Sequence, residues 1–284
     1  MTDSTVHQVA VIGAGTMGYG IAHVAAQSGC QVTLIDIKQE ALDAGMTAII
    51  QNLDKGLERG KITAELKETT LKNLKTSSSM QGAEGAELVI EAAPEDTALK
   101  CMLFKELGDL VADGAIVGSN TSSLSVTELA ASYRHPENFV GMHFFNPPHI
   151  VKLLELIKAE QTSDETLQRA RAIGELFGRE LVVVNDSPGF ASSRLGLILG
   201  LEAIRMLQEG VASAQDIDRA MKLGYRHPMG PLELTDLVGL DVRLAIAEYL
   251  HKEVGEQFRP PALLRKMVRA GKLGKKCGQG FYSW

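Results

Sequence analysis

Long hydrophobic runs are missing from this sequence. No stretch approaches the ~18 apolar residues that a membrane-spanning helix needs, so no span is predicted. Cysteine is scarce. Cys30, Cys101 and Cys277 lie far apart without CxxC spacing, which reads as reduced thiols in a cytoplasmic setting rather than a disulfide framework. Positive charge is not in excess. A formal net charge of −6 and a pI near 5.7 argue against a nucleic-acid surface. The first residues, Met1-Thr-Asp-Ser-Thr5, have neither the basic nor the apolar region of a signal peptide. No internal repeat or low-complexity tract occurs. What remains is 284 residues, 45% hydrophobic and 23% charged. That fits a globular protein of one large domain or two modest ones.

The most informative stretch is 7–36. An apolar run, Val9-Ala-Val-Ile12, leads directly into Gly13-Ala-Gly15-Thr16-Met17-Gly18. A helical pattern follows to about Ser28, then a second apolar run, Val32-Thr-Leu-Ile35, closed by Asp36. Strand, glycine turn, helix, strand and acid form the full context of a dinucleotide fingerprint. Gly13 permits the tight turn. Gly15 admits a pyrophosphate to the helix N-terminus, and Gly18 lets helix and sheet pack closely. Asp36 falls where a carboxylate accepts hydrogen bonds from the adenosine ribose. A 2′-phosphate would meet like charge there, which favours NAD over NADP.

Beyond Asp36, Leu42, Met46, Ile49, Leu53 and Leu57 follow helical spacing. Gly60 is a stop and Thr63 a second start, which gives a helical arm at about 38–72. Its outer face carries Lys55, Arg59 and Lys61 among Glu58 and Glu65, the pattern of a solvated surface. Residues 86–91 read as the next parallel strand, 97–111 as a helix, and 115–118 as a buried strand. Ser119-Asn120-Thr121-Ser122-Ser123 leaves the end of that strand, where ligands bind in such sheets. Ser125-Val-Thr-Glu128 has capping-box spacing. A strand from Phe139 to Asn146 broken by a double proline, a strand at 152–158, a helix at 164–177 and a strand at 180–184 complete the α/β part. No strand signal follows Asn185-Asp-Ser-Pro-Gly189. An apolar, buried helix from Phe190 to Glu209 is expected, with further helices opening at Ser213, at Pro231 (running to about Val254) and at Pro260-Pro261. The expected class is α/β: a Rossmann-like domain, 1–187, followed by an all-α domain, 188–284.

Of seven histidines, His143 alone lies in a predicted strand at the ligand end of the sheet. His7, His135, His149, His227 and His251 read as loop or surface residues. Glu155 lies twelve residues beyond His143 in the next apolar strand. If the intervening proline loop returns the chain antiparallel, the two side chains meet and the carboxylate fixes the imidazole tautomer. A His–Glu pair beside a nicotinamide suits an alcohol dehydrogenase, in which imidazole takes the hydroxyl proton as hydride leaves. The spacing is equally that of a structural histidine. Neither a nucleophilic triad nor a metal-ligand cluster is evident.

Six motifs in one order carry a resemblance that runs essentially end to end. They are Val-Ile-Gly-Ala-Gly-Thr-Met-Gly at 11–18, Ser-Asn-Thr-Ser-Ser at 119–123, Met-His-Phe-Phe-Asn-Pro at 142–147, Asp-Ser-Pro-Gly-Phe at 186–190, His-Pro-Met-Gly-Pro-Leu-Glu-Leu at 227–234 and Gly-Gln-Gly-Phe-Tyr at 278–282. The sequence closely resembles the bacterial short-chain L-3-hydroxyacyl-CoA dehydrogenases, also called 3-hydroxybutyryl-CoA dehydrogenases. The resemblance implies NAD-dependent interconversion of L-3-hydroxyacyl-CoA and 3-oxoacyl-CoA, and a homodimer formed through the helical domain. It matches His143 to the catalytic base, Glu155 to its partner and Ser122 to a residue that binds the reacting oxygen. Asn146 matches a residue near the nicotinamide, Glu95, Lys100, Asn120 and Lys276 match cofactor-side residues, and Arg59 matches a basic residue that meets the CoA nucleotide. Three positions depart from the family. Ser193 replaces a substrate-contacting Asn, Asn52 stands where some relatives have Ser near CoA, and Cys277 replaces Ser or Thr. Ser193 and Asn52 keep open a dehydrogenase of a free hydroxy acid such as L-gulonate on the same scaffold. A catalytically silent NAD-binding protein is the third reading.

Overall fold

The computed structural model describes residues 6–284. The segment read for a signal peptide, Met1–Thr5, lies outside them. The chain divides into two compact units, 1–186 and 187–284.

The first unit opens with β1 (Gln8–Ile12), α1 (Thr16–Gln27) and β2 (Gln31–Ile35). The helical arm is α2 (Gln39–Glu58) and α3 (Ala64–Lys72), and it leads to β3 (Leu74–Ser77). Gly60, at φ +63°, lets the backbone turn after α2, and the Thr63 hydroxyl caps α3 by accepting from the Leu66 amide. There follow β4 (Leu88–Glu91), α4 (Thr97–Gly108), β5 (Ile116–Ser119), α5 (Val126–Ala130), β6 (Phe139–Phe144), β7 (Leu153–Lys158), α6 (Asp164–Leu176) and β8 (Glu180–Asn185).

All eight strands form one sheet in the order β3-β2-β1-β4-β5-β6-β7-β8. The strands from β3 across to β6 are parallel. β7 returns antiparallel to β6, and β8 pairs in parallel with β7. The chain first builds outward from β1 through β2 and β3, then crosses to β4 on the other side. That reversal is the switch point at which open α/β sheets bind ligands. The central strands are runs of Val, Ile and Leu buried on both faces, as helix-covered parallel sheets require. The strand β3 is an addition to the sequence reading, which passed from Ile35 to the strand at 86–91. Its Leu-Lys-Thr-Ser has one apolar residue and no alternation to betray it, and it forms the sheet edge beside β2, pairing Leu74 with Val32.

The second unit has its own core, with Leu197, Leu201, Ile204, Leu232, Leu240 and Leu250 at its centre. Its helices are α7 (Ser192–Gln208), α8 (Ala214–Gly224), α9 (Pro231–Val238), α10 (Leu240–Glu253) and α11 (Ala262–Arg269). The helix expected to run from Pro231 to about Val254 is broken in two. Gly239 interrupts it at φ +106°, a conformation that side chains disfavour. Nor is α7 buried all round, because Leu195 and Leu199 are 64% and 42% exposed. The C-terminal tail is pinned by one buried carboxylate. Asp236 accepts from the amides of Phe281 and Tyr282 and from the Trp284 indole, each at 2.9 Å.

Candidate active site

At the carboxyl end of β1 the three glycines have distinct jobs. Gly13 sits at φ +96°, and a Cβ on it would lie 2.6 Å from the Ala92 carbonyl oxygen. A Cβ on Gly18 would lie 1.6 Å from the Gly13 oxygen, so helix and turn touch backbone to backbone. Gly15 is exposed, with nothing within 4 Å of a built Cβ. It is also the N-cap of α1, and no side chain caps that end. The first amides of α1, on Thr16, Met17 and Gly18, are therefore left for an anion. Asp36 closes the cradle. Its Oδ2 accepts from the Ala14 amide at 2.8 Å and its Oδ1 from the Lys38 amide at 3.0 Å. The carboxylate is thereby locked to the glycine turn while half-exposed. These features fit a dinucleotide whose pyrophosphate lies on α1 and whose ribose meets Asp36.

A second cluster joins the ends of β4 and β5. Glu91, fully buried, pairs with Lys100 on α4 at 2.5 Å. It also accepts from the Ser119 hydroxyl and the Ala93 amide, both at 2.6 Å. The Lys100 ammonium further donates to the Ala93 carbonyl and lies 3.5 Å from Glu95. Glu95 in turn accepts from the Thr121 hydroxyl at 2.6 Å, the Ser122 amide at 2.8 Å and the Ser122 hydroxyl at 3.2 Å. The Asn120 side chain accepts from the Phe144 amide at 2.8 Å and ties the loop to β6. Glu95, Lys100, Asn120 and Ser122 are thus one assembly. Lys100 is buried within it, so the group it presents outward is Glu95. Sequence reasoning missed Glu91. A glutamate closing the otherwise apolar Leu-Val-Ile-Glu run was the available signal.

The third element is the pair itself. The antiparallel return of β7 places Glu155 directly opposite His143. His143 Nδ1 and Glu155 Oε2 are 2.8 Å apart, and both residues are buried. A carboxylate can only accept, so Nδ1 carries the proton and the lone pair sits on Nε2. The Phe145 ring packs 4.4 Å from the imidazole, centroid to centroid. Asn146 follows on the exposed loop.

Arg59 is the exposed C-cap of α2 and shares its surface with Lys55, and Asn52 is half-buried on the same helix. In the second unit, Ser193 lies in the first turn of α7. Lys276 holds both oxygens of Asp241 at 2.6 Å. His149, read as a loop or surface residue, lies in the turn after the double proline, half-buried; its Nδ1 is buried without a partner, and the ring stacks on His23 with centroids 5.4 Å apart. His23 is 3% exposed, neither ring nitrogen has a hydrogen bond, and burial pushes its pKa down to about 4.

A Rossmann-type sheet with this cradle defines an NAD-binding protein, and a buried His–Glu pair at the end of the same sheet is the equipment of a dehydrogenase. Comparison with known proteins narrows the class. Residues 8–187 match the family described as 3-hydroxyacyl-CoA dehydrogenase, NAD binding domain, and residues 189–284 match the C-terminal domain of the same family. The chain is 47% identical to a probable 3-hydroxybutyryl-CoA dehydrogenase of Deinococcus radiodurans, over 96% of this chain and 99% of that one. The crystal structure of FadB2 from M. tuberculosis superposes with a TM-score of 0.96 at 38% identity, covering 99% of both chains. That of the (S)-3-hydroxybutyryl-CoA dehydrogenase PaaH1 from Ralstonia eutropha gives 0.94 at 40% identity, again with 99% coverage of both. The chain belongs to the 3-hydroxyacyl-CoA dehydrogenase family and is an NAD-dependent enzyme of it.

Proposed function

We propose that the chain interconverts an L-3-hydroxyacyl-CoA of four carbons and its 3-oxoacyl-CoA, with His143 as the general base. The observation that carries this reading is the buried His143–Glu155 hydrogen bond at the ligand end of the sheet. NAD, when bound, supplies the hydride acceptor. In the oxidation direction His143 Nε2 takes the hydroxyl proton as C3 becomes a carbonyl, and Glu155 holds the ring in the required tautomer. Ser122, kept in place by the bond from its amide to Glu95, turns its hydroxyl away from that carboxylate to donate to the reacting oxygen. Asn146 lies on the nicotinamide side and Ser193 contacts the substrate. Arg59, with Asn52 and Lys55, receives the CoA nucleotide. On the cofactor side, Asp36 and Glu95 act with the glycine turn, joined by Asn120 and Lys276. Lys100 serves that side by holding Glu95. The chain is read as a cytoplasmic homodimer joined through its second unit, where exposed Leu195, Leu199, Leu223 and Tyr225 offer apolar surface.

The test is NADH consumption against a C4–C16 series of 3-oxoacyl-CoA substrates, with free acetoacetate alongside. The expected result is highest kcat/KM with acetoacetyl-CoA, with NADPH a poor substitute for NADH. Saturation by free acetoacetate at a comparable kcat/KM would transfer the enzyme to the hydroxy-acid dehydrogenases.

A further inference from the structure

The loop that carries the chain from β6 to β7 is held by a residue outside it. Arg179 stands half-buried in the turn between α6 and β8. Its Nε donates to the Phe177 carbonyl at 2.7 Å. Its Nη1 donates to the Pro148 carbonyl at 2.9 Å and to the Val151 carbonyl at 3.0 Å. A guanidinium pairs most strongly with a carboxylate, yet every one of these partners is main chain. Among the described residues no ion pair reaches Arg179, and no second donor serves the Pro148 or Val151 carbonyl.

What those bonds fix follows from the chain on either side. Pro148 and Val151 belong to the stretch 145–152, which joins β6 to β7. At its near end the Phe145 ring packs 4.4 Å from the His143 imidazole, and Asn146 comes next. At its far end the Lys152 carbonyl accepts from the Glu180 amide, so the residue after Arg179 opens the β7–β8 ladder. Glu155 stands three residues beyond Lys152, opposite His143. The packing of Pro148 on Gly20 and of His149 on His23 adds no hydrogen bond to the loop. The fork shape matters. Nε stays on the turn at Phe177 while Nη1 reaches the loop, and an ammonium, with all its donors on one atom, cannot do both.

We propose that Arg179 is a positioning residue for the reaction. By stapling this loop it keeps Phe145 against the His143 imidazole and Asn146 at the ligand end of the sheet, so that Nε2 stays directed at the reacting oxygen. The inference rests on the reading of His143 as the base and adds to it a residue that acts only through the loop.

The experiment measures kcat, KM for acetoacetyl-CoA and the Kd of NADH in the full chain and in Arg179→Met and Arg179→Lys. Alongside, the nitrogen NMR spectrum of histidine-labelled chain reports the tautomer of His143, assigned by loss of its signals in His143→Gln. Arg179→Met keeps a long stem and removes every donor. It should lower kcat by about 10–100-fold, the scale on which a displacement of ~1 Å at reacting groups acts. The NADH Kd, set at the glycine turn, should stay near the parent's. The His143 signals should pass from one tautomer toward a mixture, and Arg179→Lys should recover part of both kcat and the spectrum. A folded Arg179→Met with parental kcat overturns the proposal. So does a loss of kcat with the His143 signals unmoved, or one matched by an equal loss of NADH binding, because either is a general loosening of the unit. If Arg179→Met does not fold, Arg179→Lys decides alone. A fall in kcat with displaced His143 signals then supports the proposal, and parental values of either overturn it. Full activity in His143→Gln would remove the reading of the base itself. Dependence on His143 without dependence on Arg179 would remove only this inference.

Discussion

Two buried histidines of the first unit make a controlled comparison. His143 is 6% exposed and His23 is 3% exposed. Both occupy regular elements of the same sheet-and-helix core. His143 faces a carboxylate at 2.8 Å, whereas His23 faces another histidine and makes no hydrogen bond. At His23 desolvation penalises the imidazolium. His143 has an anion within hydrogen-bond distance. The difference teaches that burial by itself makes a histidine neutral and inert. Burial beside a carboxylate fixes one tautomer and supports the charge that forms on proton uptake. The two pairs also differ in how they are assembled. The first comes from strand register and the second from a loop laid over α1, where Pro148 crowds Gly20 so closely that a Cβ would stand 2.7 Å from it.

The largest expected effect is at the first pair. His143→Gln should lower kcat by roughly 10²–10⁴-fold, the scale for removing a positioned general base. NADH affinity, measured by fluorescence titration, should barely change. His23→Leu should leave kcat within a few-fold of the parent. Comparable losses in the two variants would erase the distinction between a working and a structural histidine.

How much of this could be read from the chain depended on the length and regularity of each signal. The glycine cradle was legible because three glycines, two apolar strands and Asp36 all point to one turn chemistry. The His143–Glu155 register was legible because two apolar runs flank a double proline, and period-2 alternation fixes which side chains share a face. The strand β3 was not, since four residues with one apolar member carry no period. The break at Gly239 was hidden because a lone glycine inside a helical pattern is tolerated as often as it interrupts. Glu91 and the His23–His149 stack were invisible for a different reason. Their partners come from distant segments, and sequence spacing says nothing about which polar groups a loop encloses. Arg243, buried on α10 beside Gly196, belongs with these, because a helix pattern does not show whether an arginine points to solvent or to a neighbouring helix.

The next effect is on stability. Unfolded, His23 takes up a proton at the ordinary value of 6.5, but in the folded chain it does so only at about 4. Between these values the unfolded state binds more protons. Its contribution to stability is therefore fully present above about pH 6.5 and is lost as pH falls to about 4. The loss integrates to roughly 3 kcal/mol. His149, held low by burial and by the nearby Lys55 charge, works in the same direction. Urea unfolding of the parent and of His23→Leu across this range should show a shallower pH slope in the variant. Identical slopes would mean that the stack takes up protons without cost and is not the opposite of the His143 pair.

The smallest effect sharpens the comparison from the other side, by making the first pair resemble the second. Glu155→Gln keeps an oxygen that can accept from Nδ1–H, so tautomer and ring position survive while the compensating charge goes. A hydrogen bond to a neutral acceptor is worth about 1 kcal/mol less than one to a carboxylate, so kcat should fall about 5-fold with KM for acetoacetyl-CoA little altered. Glu155 acts through His143 in this reading and is a positioning residue. The two substitutions should therefore not add. In a His143→Gln background, Glu155→Gln should cost almost nothing further in kcat, because no imidazolium is left for the carboxylate to support. It should also recover part of the stability lost in His143→Gln, since that variant leaves Glu155 charged in a site where it is 1% exposed. Additive losses in kcat would give Glu155 a role of its own toward the substrate or cofactor, and the pair would then be two separate groups that happen to touch.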